Sequence, residues 1–436
     1  MYKFINFDGD SNIFYITRGF FVALFISIFI YFEYLSLTNL VLNTIFALVG
    51  IYILLKSKLK VWFWSGFFVA IFWFWWIPLS FRYYNFVWAI PFGILTISLV
   101  YGFIFWFFAY LGNLLERLYN INSIILKSIF LLISSYIHPF GFNWFKIELI
   151  FINSYIGIEK WQLFIILLSM VLTIITKRWQ YILIIILSLN IFQNFLEVTS
   201  LASLQAGAKV AVPNLKIDNS IKLISTDISI EDKYKEINQK QTIKMIYKSI
   251  EKAIDDNKTI IVFPESIIPN FLNYDQITKD RLKEYSQKIA IVIGALYLDD
   301  GEIPRNSTYI FSKNSMQIAN KVVLVPFGEK NPLPKFLSNL VNKIFYDGAV
   351  DYQASNIIYD YKIDNITYRN AICFEATSEK LYENNPQNMI VISNNAWFTP
   401  SIEPTLQKLL LKYYSQKYNI VIYHSLNASK SYIIKK

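Results

Sequence analysis

Over the first 200 positions polar residues only interrupt long apolar runs, whereas beyond position 208 apolar and polar positions trade places over short periods. Seven apolar runs lie near 19–37, 38–55, 61–80, 88–112, 122–140, 160–176 and 179–197. Each is long enough, or nearly so, for a helix to cross a hydrocarbon layer of about 30 Å, which takes roughly 20 residues. The first is read as a retained span, because six more follow it. Pro91 and Pro139 fall near span ends, where a missing backbone donor costs least. Glu33 and Lys127 also fall near span ends, where snorkelling accommodates a charge.

From position 209 onward the pattern predicts strands alternating with helices. Strands are expected over 209–215, 259–263, 289–296, 308–311, 318–325, 366–372, 389–393 and 420–424. Helices are expected over 239–256, 278–288, 378–382 and 403–418. That alternation argues for a layered α/β domain. The division is therefore a membrane domain of about seven helices over 1–205 and a second domain over 206–436.

Composition sharpens this picture. The 436 residues are 55% hydrophobic and 18% aromatic, more than a soluble core needs, and the excess sits in the first half. Basic residues in short connections set an orientation. With the N-terminus inside, Lys3, Arg18, Lys56, Lys58, Lys60, Arg117, Lys177 and Arg178 lie on the inner side. Only Arg82, Lys146 and Lys160 lie on the outer side. The N-terminus is thus expected in the cytoplasm and, after an odd number of spans, the second domain on the far side. A net charge of +10 without a dense basic block gives no support to a nucleic-acid partner. Cys373 is the only cysteine, which excludes an internal disulfide and a cysteine-rich metal site. His138 and His424 are too few for a typical zinc site, so no metal or cofactor is expected.

Candidate chemistry collects at three predicted strand ends, where active sites of open α/β folds gather. Val262-Phe-Pro-Glu265-Ser places a carboxylate just past an apolar strand. Asn320-Lys321-Val-Val-Leu-Val-Pro-Phe-Gly-Glu329 places a lysine at the start of an apolar run and a second carboxylate after a turn. Ile372-Cys373-Phe-Glu375 ends a strand on a thiol, with Glu375 expected to point to the same side two residues on. Taken singly, Cys373 reads as a small buried hydrophobe and Glu265 and Lys321 as surface charges. Together they suit acyl transfer. A glutamate takes the thiol proton, a lysine cation favours the thiolate and an oxyanion, and the cysteine carries the acyl group as a thioester.

These three settings resemble the Glu-Lys-Cys triad of the nitrilase superfamily. Leu324-Val-Pro-Phe-Gly-Glu329 and Ser393-Asn-Asn-Ala-Trp397-Phe are similar to one branch of it, the apolipoprotein N-acyltransferases. Gly141-Phe-Asn-Trp144 in the membrane half is similar to that family's Gly-Phe-Pro-Trp, although an interfacial aromatic belt explains it equally well. The resemblance implies a multi-pass α-helical membrane domain followed by a periplasmic nitrilase-like domain, a four-layer α-β-β-α sandwich, in the bacterial inner membrane. It implies a ping-pong reaction in which a phospholipid acyl chain passes to Cys373 and then to the N-terminal amine of a diacylglyceryl-cysteine lipoprotein. Glu265 is then the general base, Lys321 the oxyanion and thiolate stabiliser and Glu329 a carboxylate holding Lys321 or the amine. Trp397 lies in a mobile loop facing substrate, and Asn306 matches an asparagine the family keeps before its lysine strand. The expected partners are the phospholipid donor and the lipoprotein acceptor, and the expected state is a monomer.

Some positions depart from the family pattern. Thr399 stands where a glycine is expected, and Ile402-Glu-Pro-Thr-Leu-Gln407 stands where the family has Gly-Pro-x-x-His. Tyr414 and Lys417 replace an arginine and a glutamate, and the tryptophan expected after the first soluble strand is absent around 215–221. The resemblance also leads one to expect a further membrane helix beyond Ser431-Tyr-Ile-Ile-Lys-Lys436. Two other readings compete: a membrane-anchored amidase that keeps the triad but uses water, and a degenerate membrane binding or scaffold protein.

Overall fold

The computed structural model describes residues 11–190, 220–300, 303–331 and 352–435. The strand expected over 209–215, the boundary at 205 and the end of the seventh run lie outside the described residues. The chain forms two compact units, one of Met1–Pro139 with Asn143–Val212 and one of Phe140–Phe142 with Pro213–Lys436.

The first unit is helical. It contains α1 (Asn12–Tyr34), α2 (Leu40–Leu55), α3 (Leu59–Phe74), α4 (Ile90–Tyr119), α5 (Ser123–Ile133) and α6 (Lys160–Thr176). The longest of its 3-10 stretches among the described residues are Ile77–Tyr84 and Trp179–Ser188. Among the described residues three helical stretches are long and apolar enough to cross a membrane, or up to four if α3 and Ile77–Tyr84 form one span bent by 55°. That bend is where the expected run 61–80 breaks, because Pro78 enters the first turn of the second piece without a donor. α1 starts earlier than its apolar run, since Ser11 accepts from the Phe14 amide and caps it there. Gly66 lets α3 and α4 approach closely: a Cβ there would lie 2.4 Å from the Tyr101 carbonyl oxygen.

Two expectations for this unit are corrected. Lys127 does not snorkel; it is buried and reaches the Ser57 carbonyl at 3.4 Å. Trp144 is not part of an interfacial belt, for it is buried with its ring 5.2 Å from that of Trp76. Glu148, fully buried, is paired with Lys160 and accepts from Ser135. A carboxylate without such partners would not tolerate that burial.

Among its described residues the second unit is a sandwich of two six-stranded sheets. The first contains β1 (Ile221–Leu223), β3 (Ile260–Val262), β5 (Ala290–Leu298), β6 (Pro304–Ser312) and β7 (Ser315–Asn320) in that spatial order. β4 (Ile268–Phe271) also pairs β5. The second sheet runs β12 (Tyr432–Ile434), β11 (Val421–Asn427), β10 (Asn388–Asn394), β9 (Ile366–Ile372) and β8 (Asp360–Ile363), with β2 (Ser225–Thr226) against β11. β1, β3 and β5 are parallel, as are β9, β10 and β11, so the carboxyl ends within each set point one way.

Apolar residues from both sheets, among them Val262, Val292, Ile372, Ile392 and Tyr423, form one core between them. A second core lies over the outer face of the first sheet. There α8 (Glu236–Asp255) and α9 (Gln276–Tyr285) bury Ile246, Ile250, Ala253 and Leu282. Each large aliphatic side chain so placed contributes about 1.5–3 kcal/mol. The short α7 (Ile230–Lys233) precedes them, and α10 (Glu403–Tyr418) packs on β11 and β12 at the far side. The layers are thus α-β-β-α.

The expected strand 318–325 is displaced. β7 ends at Asn320, and Lys321 follows its last residue rather than opening an apolar strand. The cause is local: the amides of Val322 and Val323 donate to the Glu375 carboxylate at 2.6 and 3.1 Å, and that of Val325 donates to Glu329 at 2.9 Å. With their donors engaged by side chains, these residues cannot continue a ladder.

His424 on β11 is wholly buried, with Nδ1 2.9 Å from Tyr432 Oη and Nε2 2.7 Å from Ser393 Oγ. Burial holds its ring down to about 3 from the usual 6.5. The unfolded chain takes up a proton below about pH 6.5 that the folded chain refuses. Stability carried by His424 is therefore present above that pH and lost as pH falls toward 3. Glu375 and Glu403 work in the opposite direction, being pushed up by burial to about 7 and about 8. The test is consequently a difference: His424→Gln should gain melting temperature relative to wild type between pH 7 and pH 5. Parallel curves would show that the folded ring takes up its proton as readily as the unfolded one.

Candidate active site

Three chain reversals deliver the candidate residues. Glu265 follows β3 in a turn where Ser266 takes a positive φ of 47°. This turn lies directly on Gly294 of β5, where a Cβ would stand 2.5 Å from the Ser266 nitrogen and 2.7 Å from Glu265 Cα. Only glycine fits there, because the colliding atoms are backbone. Gly294→Ala should therefore displace Glu265, costing about 1–3 kcal/mol from overpacking. If Glu265 is the general base expected from the sequence, displacing it should lower the expected acyl transfer at least about 10-fold. Thermal unfolding and a transfer assay check this, and wild-type values in both would mean that the turn yields freely.

Glu265 is buried and fully engaged. Its Oε1 accepts from Asn306 Nδ2 at 2.7 Å, and its Oε2 accepts from the Asn394 amide at the end of β10 at 2.8 Å. Lys321 Nζ lies 3.6 Å from Oε1. Lys321 is 1% exposed, and its ammonium is held by both oxygens of Glu329 at 2.9 and 2.8 Å. Asn306 on β6 ties the two carboxylates together, donating also to Glu329 Oε1 at 2.9 Å. Burial pulls Lys321 down, but the charges of Glu329 and Glu265 outweigh it and hold the side chain above the usual lysine range. It is a fixed cation.

Cys373 is the first residue after β9 and opens the 3-10 turn Cys373–Thr377. Its φ of 54° is a left-handed conformation that a residue with a side chain adopts at a cost of about 1–3 kcal/mol. The thiol is partly buried, and Sγ accepts from Gln407 Nε2 of α10 at 3.8 Å. Burial pushes the thiol well up, the Glu265 charge adds to this and Lys321 opposes it. Burial thus favours the neutral thiol over the thiolate.

Glu375 does not lie beside that thiol as the two-residue spacing predicts. Residues two apart in a 3-10 turn do not share a face, and the carboxylate instead accepts from the amides of Val322, Val323 and Ile372. It ties the Lys321 loop to the Cys373 turn. Trp397 ends the short 3-10 turn Asn395–Trp397 after β10 and is partly exposed.

Glu265, Lys321, Glu329 and Asn306 thus form one bonded cluster, coupled electrostatically to Cys373. Residues the sequence did not single out also face it. Lys233 of α7 is buried and drawn down to about 8 by burial, against the opposing charge of Glu265. Glu403 and Gln407 of α10 are buried on the Cys373 side. Among the described residues no group of three or more His, Cys, Asp or Glu is placed to hold a metal ion.

A family model described as the apolipoprotein N-acyltransferase integral membrane domain matches residues 13–194. The apolipoprotein N-acyltransferase of Wolinella succinogenes is 39% identical over 417 residues, covering 95% of this chain and 94% of its own. The chain belongs to the apolipoprotein N-acyltransferase family. Its relative in Helicobacter pylori, also named apolipoprotein N-acyltransferase, is 37% identical over 403 residues, 92% of this chain and 88% of its own. Among solved structures, an amidase from the nitrilase superfamily of Nesterenkonia AN1 matches 49% of this chain and 82% of its own, at 10% identity and a TM-score of 0.37. As an apolipoprotein N-acyltransferase family member, the chain is a multi-pass membrane protein whose α/β unit follows its apolar helices.

Proposed function

We propose that the chain transfers a fatty acyl chain from a membrane phospholipid, through a thioester on Cys373, to the N-terminal amine of a diacylglyceryl-cysteine lipoprotein. The observation that carries the reading is the Lys321 ammonium, buried between Glu329 and Glu265 at the edge of the strand-end cysteine, in a chain of this family. Glu265 takes the Sγ proton as the sulfur attacks the ester carbonyl. Lys321 stabilises the oxyanion, an effect worth about 3–4 kcal/mol per well-placed donor. The C–O bond breaks, and the lysophospholipid oxygen leaves with the proton held by Glu265. In the second half the amine nitrogen bonds to the thioester carbon, the C–S bond breaks and the electron pair returns to sulfur. Glu265 takes a proton from the nitrogen and returns it to Sγ. Glu329 holds Lys321, and Asn306 aligns both carboxylates. Trp397 faces the substrate side.

The setting we infer is the bacterial inner membrane, with the N-terminus cytoplasmic and residues 206–436 forming a periplasmic nitrilase-like domain. The excess of basic residues on the inner connections supports that orientation. The purified protein, supplied with phospholipid and a diacylglyceryl-cysteine peptide, should convert the peptide to its N-acyl form. Release of the chain as free fatty acid with the peptide unmodified would overturn transfer in favour of hydrolysis.

A further inference from the structure

Two buried oxygens beside the nucleophile have no partner. Glu403, 2% exposed, and Gln407, fully buried, sit one turn apart on the same face of α10. Among the described residues Glu403 Oε2 and Gln407 Oε1 accept no hydrogen bond. The Gln407 amide is oriented by its other end, since Nε2 donates to Cys373 Sγ. Glu403 is coupled to Cys373 and to Glu265, and Tyr432 is the other titratable group that feels its charge. Each unsatisfied buried acceptor costs about 1–3 kcal/mol. Two of them together at a reacting sulfur mark a place where a donor is missing.

Gln407 Oε1 is an acceptor and the Glu403 carboxyl offers an acceptor oxygen in either protonation state, so a group that brings hydrogens fits both. An ester carbonyl and its glycerol oxygens bring none where the sulfur attacks. An amine brings two or three. We infer that Glu403 Oε2 and Gln407 Oε1 seat the incoming α-amino group of the acceptor over the thioester. This rests on the acyl-transfer reading above and names the residues that select its second substrate. A carboxyl group serves in either protonation state, because even when protonated it keeps an acceptor oxygen.

The test separates the two half-reactions, using the full chain in detergent and phosphatidylglycerol as donor because that lipid carries no amine. Acyl-enzyme formation is followed by intact mass, and its discharge by a diacylglyceryl-cysteine peptide is followed separately. Glu403→Gln keeps the shape but presents an N–H donor, and Gln407→Leu removes the acceptor. For each variant the discharge step should fall at least 10-fold more than the acylation step, with the loss appearing in the KM for the peptide. Glu403→Asp should recover part of it. Equal losses in both steps, or none in either, would overturn the assignment while leaving the thioester chemistry standing. So would a defect confined to acylation from phosphatidylethanolamine, which would place a lipid headgroup amine in the seat. A wild-type protein that forms no thioester would remove both readings together.

Discussion

Alanine at Cys373 should leave a folded protein that accepts no acyl chain and transfers none. Removing a covalent nucleophile leaves only the acceleration from binding and the oxyanion site, so transfer should fall at least about 10⁴-fold. The fold should survive. The side chain is partly buried, and alanine leaves the left-handed turn no more strained than cysteine does. Removing one partly buried sulfur should cost about 1 kcal/mol, the usual size for a point change. Melting temperature and the two half-reactions together make the distinction. A Cys373→Ala protein that transfers at a rate near wild type would show that the cysteine is structural and that the amine attacks the lipid ester directly.

Methionine at Lys321 should be nearly as damaging to chemistry and far more damaging to stability. The ammonium is the only cation bonded to the Glu265–Glu329 pair among the described residues; Lys321 and Glu265 are buried and Glu329 is mostly so. Deleting one member of a buried ion cluster leaves an uncompensated charge and costs about 3–5 kcal/mol. Activity should drop at least about 10³-fold, because the oxyanion loses its stabilising charge while Glu265 and Glu329 repel each other. Pairing Lys321→Met with Glu329→Gln removes one negative charge as well. The double variant should regain much of the lost melting temperature but none of the activity. If the single variant instead loses activity with its melting temperature unchanged, the ammonium is not the clamp described here.

Much of this arrangement could be read from residue order, and the failures have physical causes. α10 begins and ends where expected because Pro404 fits its first turn and Asn419 takes the left-handed conformation just past its end. β9 was legible in its β-branched alternation, and so was the position of Cys373 one residue beyond it. The hairpin partner β8 does not stand out in the apolar pattern, although Asp364 and Asn365 between the strands both take positive φ, the signature of a tight turn. The end of β7 was misplaced because the amides that stop it are held by carboxylates distant in sequence, which no local pattern reveals.

The site shows the same division. Glu265 and Lys321 follow strands of the first sheet and Cys373 follows one of the second. Their separate strand ends were readable, but their meeting across the sandwich depends on packing between sheets. Glu403, Gln407 and Lys233 look like the polar face of ordinary helices, and only burial against Cys373 and Glu265 distinguishes them. In the membrane unit Lys127 misled for the converse reason. Its place near an apolar run's end suggested solvent, yet it points inward to a backbone carbonyl.

The most direct measurement is the intact mass of the purified protein after incubation with phospholipid and no acceptor. The account predicts a gain of one fatty-acyl chain that maps to Cys373, is cleaved by hydroxylamine and is discharged by a diacylglyceryl-cysteine peptide. An unchanged mass, with Cys373 shown to be a free and accessible thiol, would contradict the acyl-enzyme at the centre of the account.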